Sequence, residues 1–379
     1  MSSVPDAPAP TRGALHSAIE RTVALMQSKL LWVLLGVYLL AGVAPGLGLA
    51  IKQLHVGSVG LFGERPVALS LTNLLLASML FTAGLGVSLR DARGIFQHPR
   101  LLVAGVLANA IMPVLFLTLL SVVARLWPET DEAQSTLSGL ALIGAMPIAG
   151  GASVWTQNAD GNVPLTVGLV LGSTLLSPVS IPLALYAVSH LTTGDYAEDL
   201  AELAGDGTIT FSLLSVVIPC FVGIALRHYA GDARVRYAGP WIKVVNLLVL
   251  LTLSYTNASG AMHAIVAEPD YDMLALVFVI TTAMCMTSFY VGYRMAQALG
   301  ASVPDVTSLT FGVGMNNSSA SSVLASARMA DHPLVLVPIL AYGMLQKVLA
   351  GSVDSALRKR RALAQAEAEP PEHEPCSEP

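Results

Sequence analysis

Two short stretches gather most of the polar and backbone-freeing residues of an otherwise apolar chain. The first is 145–158, AMPIAGGASVWTQN, and the second is 311–320, FGVGMNNSSA. In the first, Pro147 has no N–H to give a helix and clashes with the turn before it. Gly150 and Gly151 then open backbone conformations closed to other residues, and Ser153, Thr156, Gln157 and Asn158 supply side-chain oxygens. In the second, Gly312 and Gly314 lead into Met315, Asn316, Asn317 and Ser318. The chemistry on offer is binding rather than bond-making. Freed carbonyls, amides and hydroxyls hold a cation or a polar substrate, and half-helix N-termini favour an anion. A simple kink, with its polar groups bonded to neighbouring helices, is the competing reading of either stretch.

Long hydrophobic runs flank both stretches. Hydrophobic residues make up 54% of the 379-residue chain and charged residues only 12%, against about 25% charged in a soluble domain. A bilayer is spanned by about 20 apolar residues, so about ten spans fit: roughly 30–51, 69–89, 101–126, 134–158, 161–188, 208–228, 240–258, 272–298, 305–328 and 333–355. Lys and Arg fall on alternate loops, with Arg90, Arg93, Arg100, Arg227, Arg234, Arg236, Lys243 and the cluster at 358–361 on one side. The other side holds fewer bases and is acidic around Asp131, Asp195 and Asp199. That bias puts both termini in the cytoplasm.

The expected fold is therefore an all-α polytopic membrane protein. Its halves, about 30–190 and 208–355, form a 5+5 inverted repeat, with the fourth and ninth helices broken. Residues 1–29 are expected to be a cytoplasmic segment, 30–355 the transporter domain and 356–379 a disordered cytoplasmic tail. Backbone released from helical bonding survives at membrane depth only where it lines a cavity or is buried in protein. Matched breaks in two halves mark a transporter's binding site, here Gly150, Gly151, Ser153, Thr156, Gln157, Asn316, Asn317 and Ser318.

The chain resembles the bile acid:sodium symporter family, as a divergent bacterial-type member. The resemblance is carried by MLFTAGLGVSL at 79–89 followed by QHPR at 97–100, by 147–163, and by LTFGVGMNN at 309–317. It implies ten spans with two crossing helices, and cotransport of an organic anion with sodium. It also implies a sodium site formed by Asn109, the Met315 carbonyl and Asn316, with Thr166 a surviving hydroxyl of a second site. The family's glutamate falls at Gly312, so the implied site lacks its carboxylate, and the Ser-Asn pair of the first motif falls at Ala152 and Ser153. Sodium coupling is the expectation, because most of the framework remains.

Lys347 adds a fixed charge in the last span, in YGMLQKVLAG at 342–351. Ionisable groups inside a span are costly and tend to be functional, although Lys stems also snorkel to an interface. Its ammonium would bind a substrate carboxylate, or replace sodium in a sodium-independent or proton-coupled transporter. A ligand-binding membrane sensor is the alternative from outside transport.

No phosphate loop, zinc-binding helix or nucleophile elbow occurs, so no enzyme and no organic cofactor are expected. Nothing marks nucleic-acid binding or an obligate protein partner. The partners expected are the bilayer of the inner (cell) membrane and a small organic anion, with sodium as coupling ion.

Overall fold

Prolines and capping side chains set most of the helix limits. The computed structural model describes residues 25–26, 29–60, 67–88, 97–124, 127, 130–205, 207–267 and 269–368. Helix α1 (Leu30–Val43) is followed by α2 (Gly46–Lys52) and a two-stranded sheet of β1 (His55–Val59) and β2 (Val67–Ser70). Next come α3 (Leu71–Gly86), α4 (Pro99–Ala124), α5 (Thr130–Ala145), α6 (Ala152–Asn158), α7 (Val163–Ser189) and α8 (Asp195–Gly205). The chain continues through α9 (Thr208–Ala230), α10 (Asp232–Ala267), α11 (Tyr271–Ala298), α12 (Val303–Gly314), α13 (Ser318–Arg328) and α14 (Leu336–Ala368). Residues Ser212–Val217 within α9 are π-helical.

Among the described residues, six helices are long and apolar enough to cross a membrane: α4, α7, α9, α10, α11 and α14 with the turn before it. On α4, Val103, Leu107, Ile111, Leu115, Leu119 and Val122 recur at helical spacing, and each is at least 50% exposed. An outward apolar stripe of that length belongs against lipid. The chain is thus a mostly helical, polytopic membrane protein.

The structure departs from the sequence reading at several places. The first expected span, 30–51, is two helices meeting at 92°. Pro45 carries no donor and pushes Ala44 out of the helical region, so the helix must turn there. Helix α10 starts at Asp232 and takes in the basic stretch read as a loop up to 240, carrying Pro240 inside it. The fold is not purely helical, because of the β1–β2 pair. Helix α14 runs on to Ala368, past the 355 limit of the last span. The segment 1–24 and the tail from 369 lie outside the described residues, as do Arg65, Arg90, Arg93 and Arg125.

Two compact units divide the chain. The first comprises Met1–Ser58, Ala68–Ser88 and Leu214–Pro269. Within it α3 and α9 press together backbone to backbone. A Cβ built on Gly84 would lie 2.0 Å from the Cys220 carbonyl oxygen, and one on Gly223 would lie 2.1 Å from that of Phe81. Small residues permit this approach between apolar helices. Gly84→Ala or Gly223→Ala should each lower stability by about 2 kcal/mol, read as a drop in melting temperature of the purified protein.

The second unit comprises Val59–Val67, Leu89–Leu213 and Asp270–Pro379, and holds both polar stretches. At one end of it, the Tyr196 hydroxyl donates to Asp131 Oδ1 at 2.9 Å and His332 Nε2 lies 3.5 Å from Asp199 Oδ2. These contacts join the start of α5, α8 and the turn before Pro333. Partial burial raises the Asp199 carboxyl above its ordinary range, against the pull of His332.

Candidate functional site

Helix α5 stops at Ala145, just before the Met146-Pro147 dipeptide, which cannot continue a helix. The chain becomes helical again at Ala152, after Gly150 and Gly151. Helix α12 stops at Gly314, and α13 restarts at Ser318 with Asn317 as its cap, whose Oδ1 accepts from the Ala320 N–H at 3.1 Å. The two non-helical stretches lie antiparallel, bridged at Ile148 and Asn316. The Ala149 N–H donates to the Met315 carbonyl at 2.9 Å and the Asn317 N–H to that of Pro147 at 3.0 Å. Each interruption thereby satisfies backbone groups that the other leaves open.

Side chains from neighbouring helices finish this task. Ser173 Oγ on α7 accepts from the Ile148 N–H at 3.1 Å, and Gln346 Oε1 on α14 accepts from the Asn316 N–H at 3.1 Å. Asn316 Nδ2 donates to the carbonyls of Ile143 at 3.0 Å and Gly144 at 3.4 Å, in the last turn of α5, where the Ile143 carbonyl also accepts from the Met146 N–H at 3.2 Å. Asn109 Nδ2 on α4 donates to Asn316 Oδ1 at 3.0 Å. Both amides are buried, at 4% and 1% exposure.

Further contacts fix the ends of the short helices. Thr156 Oγ1 and Thr166 Oγ1, both fully buried, share a hydrogen bond of 2.9 Å between α6 and α7. Asn162 Nδ2 donates to the buried Asp305 carboxylate at 2.7 Å, and Ser308 Oγ donates to the Asn162 carbonyl at 2.8 Å. The start of α7 is thus bound to the start of α12. The Trp155 and Phe311 rings stack with centroids 6.2 Å apart, and Phe311 meets Phe289 edge to face.

Lys347 belongs to the stripe Gly343, Lys347, Gly351, one helical turn apart on α14 and therefore on one face. A Cβ on Gly343 would lie 2.9 Å from Ser318 Oγ, and one on Gly351 would lie 3.7 Å from the Trp155 ring. The lysine side chain is partly buried.

A family model described as the sodium bile acid symporter family matches residues 73–268, just over half of the chain. The chain belongs to this family. Among curated relatives, an uncharacterised protein of Bacillus subtilis (strain 168) is 27% identical over 222 residues, 57% of this chain and 66% of that protein. The probable chloroplastic sodium/metabolite cotransporter of Arabidopsis thaliana is 26% identical over 285 residues, 75% of this chain and 65% of that protein. The human hepatic sodium/bile acid cotransporter is 24% identical over 291 residues, 76% and 78% of the two chains. The match spans just under two thirds of the first two relatives. The sodium bile acid symporter family is one of transporters.

Of the residues singled out in the sequence of this family member, Asn109, Met315, Asn316 and Asn317 come together at the paired interruptions. Thr156 and Thr166 form a separate pair. Ser318 and Lys347 lie on the α13–α14 side. Ser153 bonds back to the Gly150 carbonyl at 2.8 Å, which tightens the turn into α6. Gly151 and Gln157 are exposed and stand apart from the amide network. Sequence reasoning passed over Gln346, Ser173, Asn162, Asp305 and Leu169. The first four carried a signal, being polar side chains inside or at the edge of apolar runs; Leu169 carried none.

The two adjacent asparagines should behave differently on truncation. Asn316→Ala removes the donor to two carbonyls and strands Asn109, all without water to replace them, so it should cost about 3 kcal/mol of stability. Asn317→Ala loses one helix cap, a loss of about 1 kcal/mol. Melting curves of the two purified variants check this order.

Proposed function

We propose that this chain is a secondary transporter of a small organic anion that works by alternating access. The observation that carries this reading is the antiparallel pairing of the two interruptions, held at 2.9 Å and 3.0 Å by Ala149–Met315 and Asn317–Pro147. Two broken helices that meet in this way form a fixed centre around which halves can rock. The names of the relatives, sodium/metabolite and sodium/bile acid cotransporters, support the transport of organic solutes. In this reading the chain has ten spans in a 5+5 inverted repeat, with α5–α6 as the fourth and α12–α13 as the ninth. The protein sits in the cell membrane with both termini in the cytoplasm.

The substrate is held between α6, α13 and α14. Ser318 and the start of α13 offer hydrogen-bond donors, the helix end carries partial positive charge, and Lys347 supplies a full one. The bulk of the substrate rests against Trp155. That set of groups suits a carboxylate on an apolar body.

Reconstitution into proteoliposomes tests the reading. Radiolabelled short hydroxy- and keto-carboxylates, and taurocholate as a bulky anion, are offered as a panel. Uptake of at least one, above protein-free vesicles and above Lys347→Met, is expected. Cysteines placed at the exposed Thr130 and at Ala364 should react with an impermeant thiol reagent from opposite sides; reaction of both from one side would contradict the span count.

A further inference from the structure

The family description and the names of several relatives include sodium, so the paired interruptions can be tested for a place to hold it. A hard cation needs several oxygens turned toward one point. Taken out of water, it also needs a compensating negative charge or a full shell of oxygen ligands in place of its hydration. Four features of this site work against both needs.

The first is Leu169. One of its methyls would lie 2.6 Å from a Cβ built on Gly312 and the other 2.5 Å from one built on Gly105. The fully buried leucine fills the space beside both glycines and presents hydrocarbon there. The second is the amide pair. Asn109 Nδ2 points at Asn316 Oδ1, and Asn316 Nδ2 points at the carbonyls of Ile143 and Gly144. These N–H groups already stand against the oxygens, where a bound cation would have to be. The third is that nearby acceptors are already engaged: the Met315 carbonyl takes the Ala149 N–H, and the Thr156 and Thr166 hydroxyls bond to each other. The fourth is charge. Among the described residues no carboxylate joins the amide network: the buried Asp305 is held by Asn162 and Ser302 at the start of α12. On α14, beside the Gln346 that accepts from the Asn316 N–H, the chain carries a basic residue, Lys347.

We infer that the paired interruptions of this protein hold no sodium ion, their ion position being filled by the Asn109–Asn316 amides and the Leu169 side chain, so that its transport cycle does not depend on sodium. The statement about the cycle rests on the function proposed above; the statement about the site does not.

Sodium itself is the probe. The purified full-length protein is melted in a series in which sodium replaces choline over a hundredfold range at constant chloride. A ligand that binds only the folded state raises the melting midpoint with the logarithm of its concentration. Superimposable sodium and choline curves are expected, together with no retention of radioactive sodium-22 that excess unlabelled sodium displaces. A midpoint that climbs with sodium and not with choline would overturn the inference, as would displaceable sodium-22. Either result would leave anion transport standing, whereas failure of every anion in the uptake panel would remove transport and leave the sodium result intact.

Discussion

Gly312→Glu should fail to accumulate as folded protein. The new Cβ would begin 2.6 Å from the Leu169 methyl, inside any real contact distance, and Leu169 is itself wedged against Gly105 on its other side. Overpacking of that kind costs about 1–3 kcal/mol. A carboxylate forced among Leu169, Leu309 and Phe311, all fully buried, adds the penalty of an unpaired charge, about 3–5 kcal/mol where a buried partner is missing. The sum, on the order of 5 kcal/mol, is comparable to the whole stability of many domains. Leu169→Ala in the same chain should recover part of the loss by opening the space. Detergent-solubilised yield and monodispersity on size exclusion report both variants. A well-folded Gly312→Glu would mean that the leucine is not wedged as described.

Lys347→Met should abolish uptake and leave the protein more stable. A lysine within a membrane-spanning helix costs about 2.5–3.5 kcal/mol near its centre, and Met keeps much of the stem's volume. No hydrogen bond or ion pair of the ammonium is formed among the described residues, so the substitution breaks no contact there. If the lysine binds the substrate carboxylate, its loss should lower uptake more than tenfold, since hydrogen bonds to charged groups contribute about 1.5–3 kcal/mol. Lys347→Arg, which preserves charge but changes shape and reach, should retain a fraction of activity. A snorkelling lysine predicts a different pattern, with normal uptake in Lys347→Met.

The interruptions were legible because their causes are local. Pro147 and the double glycine announce a helix stop, and adjacent amides in an apolar run are hard to explain without a purpose. The pairing of Ile148 with Asn316 was not legible, because nothing local specifies which distant segment will complete an open backbone. The stripe Gly343–Lys347–Gly351 follows from helical spacing, but what it faces does not. Leu169 was invisible for a simpler reason: one leucine in an apolar helix looks like any other, and only the glycines across from it reveal a plug. The orientation of the Asn109 and Asn316 amides was not legible either: in the fold their N–H groups are turned onto oxygens, a distinction the letter Asn does not carry. The bend at Pro45 was available from the proline alone and was lost by reading 30–51 as one hydrophobic window.

The claim at the centre of this account is that the paired interruptions move an organic anion rather than merely bind one. Counterflow tests this without assuming any driving ion. Proteoliposomes are loaded with the unlabelled form of an anion that the uptake panel identifies, then diluted into a trace of the labelled form in sodium-free choline buffer. The account predicts transient accumulation of label inside the vesicles, absent from protein-free vesicles and from Lys347→Met. An anion that binds the purified protein but gives no counterflow would contradict it, and would make this family member a receptor.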